Sequence, residues 1–258
     1  TIASLLPAAG AVVPALNAIE VHFSEGVKGV NAADLLVNGA PATTVMEFAP
    51  EVYVFQFPPT PTGLVTVAWL ANPGIVDLSA NSNRFAGGTY TYTVNPAAIA
   101  ADVRITEFMA GNDSGLRDND GQYSDWIEIH NSSGQTLNLG GWYLTDNAAK
   151  LTKWRFPFGL TLPADAYLLV WASDKNRTNL AAPLHTNFKL SKAAGSFLGL
   201  VYLDGATVVS SFTNYPGQFD DVSYGRDRID GSIVGYFTNA TPGAANAAPP
   251  VTVAPPSS

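Results

Sequence analysis

The chain has 258 residues, of which 47% are hydrophobic and 13% charged; its net charge is −8 and it holds no cysteine. The apolar share suffices for one or two domain cores, while the acidic balance excludes general affinity for the nucleic-acid backbone and disfavours anionic membranes. The lack of cysteine removes disulfides, thiolate metal sites and thiol nucleophiles, and no run of about 18 apolar residues encodes membrane insertion.

Charged residues reach only half of the about 25% usual in soluble domains. Surface polarity must therefore come from Asn, Thr, Ser and Gly, which suits an extracellular β-protein better than a cytosolic enzyme. A first residue of Thr rather than Met is expected of a mature form or a fragment.

Short alternating runs, punctuated by Gly, Pro, Asn and Asp, predict strands throughout. Ala18 to Phe23 places Ile19, Val21 and Phe23 on one face. Leu35 to Pro41 contains Asn38-Gly39, a hairpin turn signal. Glu51 to Phe57 sets Tyr53, Phe55 and Phe57 opposite Val52, Val54 and Gln56, and Leu64–Leu70 and Thr89–Val94 complete the set. Residues 1–97 therefore hold the strands of one immunoglobulin-like sandwich. The uncharged stretch from Asn95 to Ala101 reads as a short linker.

Residues 98–246 form a second block. Its predicted strands are Val103–Met109, Asp125–His130, Gly141–Leu144, Lys153–Phe158, Ala166–Ala172, Ser196–Leu203, Thr207–Phe212 and one near Ile233–Phe237, with a short helical turn at Asp113–Arg117. The fold class expected for the whole chain is all-β, two tandem immunoglobulin-like antiparallel β-sandwiches. Residues 247–258 are Pro-rich and read as an extended tail or linker.

The second block carries Ile105-Thr106-Glu107-Phe108-Met109, Ser124-Asp125-Trp126-Ile127-Glu128-Ile129-His130-Asn131, Gly140-Gly141-Trp142-Tyr143-Leu144-Thr145-Asp146, Lys153-Trp154-Arg155-Phe156-Pro157 and the closing Asn239-Ala240-Thr241-Pro242-Gly243. In that order these segments resemble the lamin tail domain, an immunoglobulin-like module that bacteria carry in secreted proteins. In the first block, Pro7 to Phe23 and Ile75-Val76-Asp77-Leu78-Ser79-Ala80-Asn81 resemble the immunoglobulin-like repeats of bacterial surface proteins. The resemblance implies a modular, non-enzymatic role. It also implies core positions for Trp142, Trp154 and Trp171.

Asp113, Asp118, Asp120 and Asp125 form an acidic loop whose alternate carboxylates suggest a calcium site. With Gly121 at the sixth position, an EF-hand register puts Leu116 first and Ile127 twelfth, so that loop type is excluded. The alternative is an acidic turn capping backbone amides. Glu107, Glu128 and Asp125 offer paired carboxylates, but an ion-paired or packed strand residue is the simpler reading for each. His22, His130 and His185 follow no zinc or triad spacing, so no catalytic residue is assigned. Tyr90 and Tyr92 share a face of a strand expected at a sheet edge and are the candidate ligand platform. The expected partners are neighbouring modules or identical subunits. The alternative is a polysaccharide or cell-wall glycan bound with or without calcium.

Overall fold

The computed structural model describes residues 1–96, 103–134, 136–246 and 250–251, and the chain divides into two units, Thr1–Ile99 and Ala100–Ser258. Both are built from antiparallel sheets in the manner of immunoglobulin-like sandwiches, apart from a short parallel pairing of Val12–Val13 with Thr93 and Val94. The helical content among the described residues is one 3-10 turn, Ala32–Asp34. The helical turn expected at Asp113–Arg117 is instead irregular. The Asp221 carboxylate accepts the Asp113 and Ser114 amides at 2.8 Å each, fixing the segment to a residue distant in the chain. The expected linker and Pro-rich tail fall mostly outside the described residues.

The first unit runs β1 (Ile2–Leu6), β2 (Val12–Val13), β3 (Ala18–Phe23), β4 (Val27–Lys28), β5 (Leu35–Val37), β6 (Ala40–Pro41), β7 (Thr44–Ala49), β8 (Val52–Gln56), β9 (Gly63–Trp69), β10 (Val76–Asp77) and β11 (Thr89–Val94). One sheet has the order β1-β3-β8-β7 and another β2-β11-β9-β5-β6, with β10-β4 as a small ribbon. The period of two in β3 and β8 directs Ile19, Val21, Phe23, Tyr53 and Phe55 into the same core. Phe23 meets Tyr53 and Phe85 edge-on, with ring centroids 5.8 and 5.3 Å apart. The β5–β6 turn uses Asn38 (φ 48°) and Gly39 (φ 83°), both in the left-handed region that a two-residue hairpin requires.

The second unit runs β12 (Val103–Met109), β13 (Asp125–Asn131), β14 (Leu137–Asn138), β15 (Tyr143–Thr145), β16 (Trp154–Arg155), β17 (Thr161–Leu162), β18 (Tyr167–Ala172), β19 (Ser196–Val201), β20 (Val208–Tyr215), β21 (Ser223–Arg226) and β22 (Val234–Phe237). A five-stranded sheet, β18-β13-β12-β21-β22, accompanies a four-stranded one, β16-β15-β19-β20, and a β14-β17 ribbon. Phe108 of β12 reaches Phe212 and Tyr215 of β20 at 5.2 and 4.8 Å between centroids, tying the two sheets together. Trp142 and Trp154 are buried as expected. Trp171 is also buried, but with Trp126 and Met109 in a separate cluster that Ala240 helps to cover.

Both edges of the five-stranded sheet meet more of the same chain. Beside β18, the Trp171 amide donates to Leu184 and its carbonyl accepts from Thr186, at 2.9 and 2.8 Å. Beside β22, Tyr236 and Val251 exchange two backbone hydrogen bonds of 2.8 and 2.9 Å. Gly235 makes the second contact sterically feasible: a Cβ there would lie 2.6 Å from the Val251 carbonyl oxygen.

Candidate functional site

The outer face of the five-stranded sheet carries a row set by strand register. Arg104 of β12 pairs with His130 of β13, which pairs with Tyr167 of β18. Residues directly opposite on one face stand about 5 Å apart, and the His130 and Tyr167 rings stack with centroids 4.1 Å apart. The turn after β21 rises beside this row and closes a cleft of about 210 Å³. Arg226, Asp227, Arg228, Gly231 and Asn246 complete its wall.

Three of the chain's seven arginines thus line one cleft. Arg226 donates from Nε to the Ile105 carbonyl (3.1 Å), from Nη1 to Gly231 (2.9 Å) and from Nη2 to Ser211 (2.8 Å), so three backbone acceptors fix its plane. A guanidinium has five N–H groups. Two remain, and among the described residues no carboxylate pairs with Arg226. Gly231 lets the second guanidinium in, since a Cβ there would lie 2.4 Å from Arg104 Nη1. Burial and the Arg104 charge both pull the Arg226 pKa below its ordinary value. Burial likewise lowers that of His130, against the opposing effect of Asp165. Asp227 turns its Oδ1 to the Ile229 and Asp230 amides, at 2.8 and 3.0 Å. Sequence reading missed this site because Arg104 lies more than 120 positions before Arg226 and Arg228 in the chain.

Below the cleft, Glu107 and Glu128 are both fully buried. Glu107 accepts from the Ser223 hydroxyl and from the Thr241 amide (3.1 Å); Glu128 accepts from the Thr106 hydroxyl (2.6 Å) and the Gly243 amide (2.7 Å). The Thr241-Pro242-Gly243 segment is therefore latched to the sheet by two carboxylates. Burial raises both pKa values, that of Glu128 to about 7.

The acidic loop is built differently from a calcium site. The Lys175 ammonium lies between two carboxylates, 2.5 Å from Asp118 Oδ2 and 2.7 Å from Asp120 Oδ2. Arg177 grips both oxygens of Asp120, at 3.0 and 2.8 Å. The other Asp118 oxygen accepts the Asp120 and Gln122 amides at 2.9 and 3.0 Å. Burial opposes ionisation of Asp118, yet Lys175, Ser124 and these amides hold its carboxyl well below the usual range. Arg177, then Lys175, lowers that of Asp120 to about 2. Asp125 points elsewhere, to the Leu190 amide at 3.2 Å, and burial lifts it to about 6. Asp113 is exposed. The four expected ligands do not converge, and among the described residues no group of three or more His, Asp or Glu is placed to hold a metal ion. The Lys175 ammonium supplies the positive charge between Asp118 and Asp120.

Tyr90 and Tyr92 do share a face, but it is the inward one. β11 lies between β2 and β9 rather than at an edge, and its threonines point outward. Tyr92 is 1% exposed, with its hydroxyl on the Pro7 carbonyl at 3.0 Å, and Tyr90 packs against the same core. The expected platform is thereby corrected to a core pair. His185 is also buried. Its Nδ1 meets Ser173 Oγ and its Nε2 meets Asn119 Oδ1, both at 2.7 Å, bracing the acidic loop. His22 contacts Glu20 in the first unit.

The order of β12, β13 and β15–β20, with their buried tryptophans, can now be set beside known proteins. Residues 96–216 match the Lamin Tail Domain family. The lamin-tail match stops short of β21 and β22, which complete its five-stranded sheet and carry Arg226 and the cleft wall. No curated protein matches the chain. Among solved structures, a methionine-rich copper resistance protein, PcoC from Escherichia coli, is similar at 26% identity over 36% of this chain and 96% of that one, with a TM-score of 0.29. CopC from Methylosinus trichosporium is similar at 18% identity, 36% and 91% coverage and a TM-score of 0.27. An L,D-transpeptidase from Mycobacterium smegmatis is similar at 12% identity, 82% and 97% coverage and a TM-score of 0.29. Among the described residues, no helix is long and apolar enough to cross a membrane.

Proposed function

We propose that this chain is a non-enzymatic structural or spacer segment of a secreted or cell-surface bacterial protein. In this reading the first unit is an immunoglobulin-like surface repeat and the second a lamin-tail module. One observation carries it. The buried carboxylates and imidazole of the second unit (Glu107, Glu128, Asp118 and His185) all bind loops of their own unit. Groups engaged in this way hold a shape; they do not act on a substrate. The low share of charged residues agrees with service outside the cell.

Partners in this reading are neighbouring modules of a longer protein. Strand addition between identical subunits is the competing mode, and the self-covered edges of the five-stranded sheet disfavour it there. Light scattering after size exclusion, over a wide range of protein concentration, separates the two. A monomer throughout is expected of a spacer. Concentration-dependent oligomers lost on truncation before Ala247 would replace it with a self-assembling subunit.

A further inference from the structure

We propose that the cleft formed by Arg104, His130, Tyr167, Arg226, Arg228 and Gly231 binds a single oxyanion group, the carboxylate or sulfate of an acidic sugar or a free inorganic ion. Guanidinium groups suit such a ligand because their N–H donors match two oxygens of one carboxylate, sulfate or phosphate. Arg226 is held in one plane by three backbone carbonyls and keeps two N–H groups. Such a donor is pre-organised, so little side-chain freedom is lost on binding. Arg104 approaches the same glycine, so a second guanidinium lies beside the fixed one. Arg228 is exposed at the rim, where it can follow the ligand's outer oxygen.

The volume sets the scale. At about 210 Å³ the cleft is smaller than the roughly 300–1,000 Å³ of drug-sized pockets, and one sugar ring or one inorganic ion is what it holds. The stacked His130–Tyr167 pair offers a ring edge and polar tips to a sugar. Three carboxylates lie near the cleft. Asp227 is turned to its own loop amides, Asp165 lies by His130, and Glu128 is buried beneath Thr106. The chain's overall charge of −8 repels anions elsewhere, which makes a local arginine cluster the more selective feature.

Isothermal titration calorimetry on the full chain tests this with sodium sulfate, inorganic phosphate, a glucuronate oligosaccharide, a sulfated oligosaccharide and a neutral hexose. The wild type is expected to bind oxyanions and not the neutral sugar, more weakly as salt rises. Arg228→Ala and Arg104→Gln should each weaken binding about tenfold, the loss of one charge-assisted hydrogen bond. Their melting temperatures serve as folding controls. Tighter binding of the oligosaccharides than of the inorganic ions identifies an acidic polysaccharide as the source. Equal binding identifies a free oxyanion. No heat with any oxyanion, or binding unchanged in the double variant, would overturn the proposal.

Discussion

Glu107 and Glu128 are register partners on β12 and β13, side by side and both without solvent exposure. Each binds an amide of the segment from Thr241 to Gly243. A buried carboxylate accepting hydrogen bonds can keep its charge only against the cost of desolvation, and here burial raises both pKa values.

This predicts a specific pH dependence. Glu128 titrates near 4.5 in the unfolded chain and near 7 in the folded one. Between those values the folded state holds a proton that the unfolded state has released, so this group's contribution to stability falls as pH rises through the window. Glu128→Gln can retain both bonds, accepting from Gly243 and donating to the Thr106 oxygen. It should stabilise the chain by about 1–3 kcal/mol at pH 8 and by progressively less toward pH 5. His130 and His185, with pKa values lowered mainly by burial, act in the opposite direction on acidification. The difference between variant and wild type across pH, read by chemical denaturation, cancels their effect. A pH-independent difference would contradict the assignment.

Lys175 should be indispensable to the acidic loop. The Asp118 side chain has no exposure and Lys175 has 19%. Removing one partner of a buried pair leaves the other uncompensated, so Lys175→Met should cost about 3–5 kcal/mol, less what partial exposure returns. In the wild type, calcium and chelator should leave the melting temperature unchanged. A rise with calcium would restore the ion-binding reading of the loop. The depressed pKa values of Asp118 and Asp120 add stability that is complete above about 3.8 and lost as pH falls toward 2.

Gly235→Ala tests the covered edge of β22. The new methyl would meet the Val251 carbonyl oxygen, and the two hydrogen bonds between Tyr236 and Val251 should open. Hydrogen exchange at both amides is expected to accelerate, with about 1–3 kcal/mol lost at most. Unchanged protection would mean that the backbone absorbs the methyl.

Phe108 joins the two sheets of the second unit through Phe212 and Tyr215, and packs beside Tyr224 of its own sheet. Phe108→Ala should cost about 3–5 kcal/mol in denaturant unfolding, since the rings around it belong to different strands and cannot all collapse into the void. A cost below about 1 kcal/mol would argue against this packing.

Local pattern made much of the architecture legible. Ile19, Val21 and Phe23 alternate into the core as their spacing requires, and Asn38-Gly39 turns where its backbone preference demands. The strands that escaped notice are short or weakly patterned: β7 is mostly exposed, and β21, Ser-Tyr-Gly-Arg, offers too few apolar residues to register. Sequence placed Tyr90 and Tyr92 on one face correctly, but their spacing carries no sign for inside or outside. That depended on which face of β11 the rest of the first unit's core packs against. The sites depended on distance in the chain. Asp118 and Lys175 are 57 positions apart, and Arg226 meets Ile105 across 121. Charge patterning within a window of a dozen residues sees only half of each pair.

The lysine between Asp118 and Asp120 has a further consequence. A loop organised by a bound ion keeps its shape only where that ion is plentiful, and dilution or a competing chelator can unmake it. Here the cation is an amino acid of the same chain, present in fixed proportion wherever the protein goes. The loop's order should then be independent of the mineral content of its surroundings and answer instead to strong acid, which discharges its carboxylates.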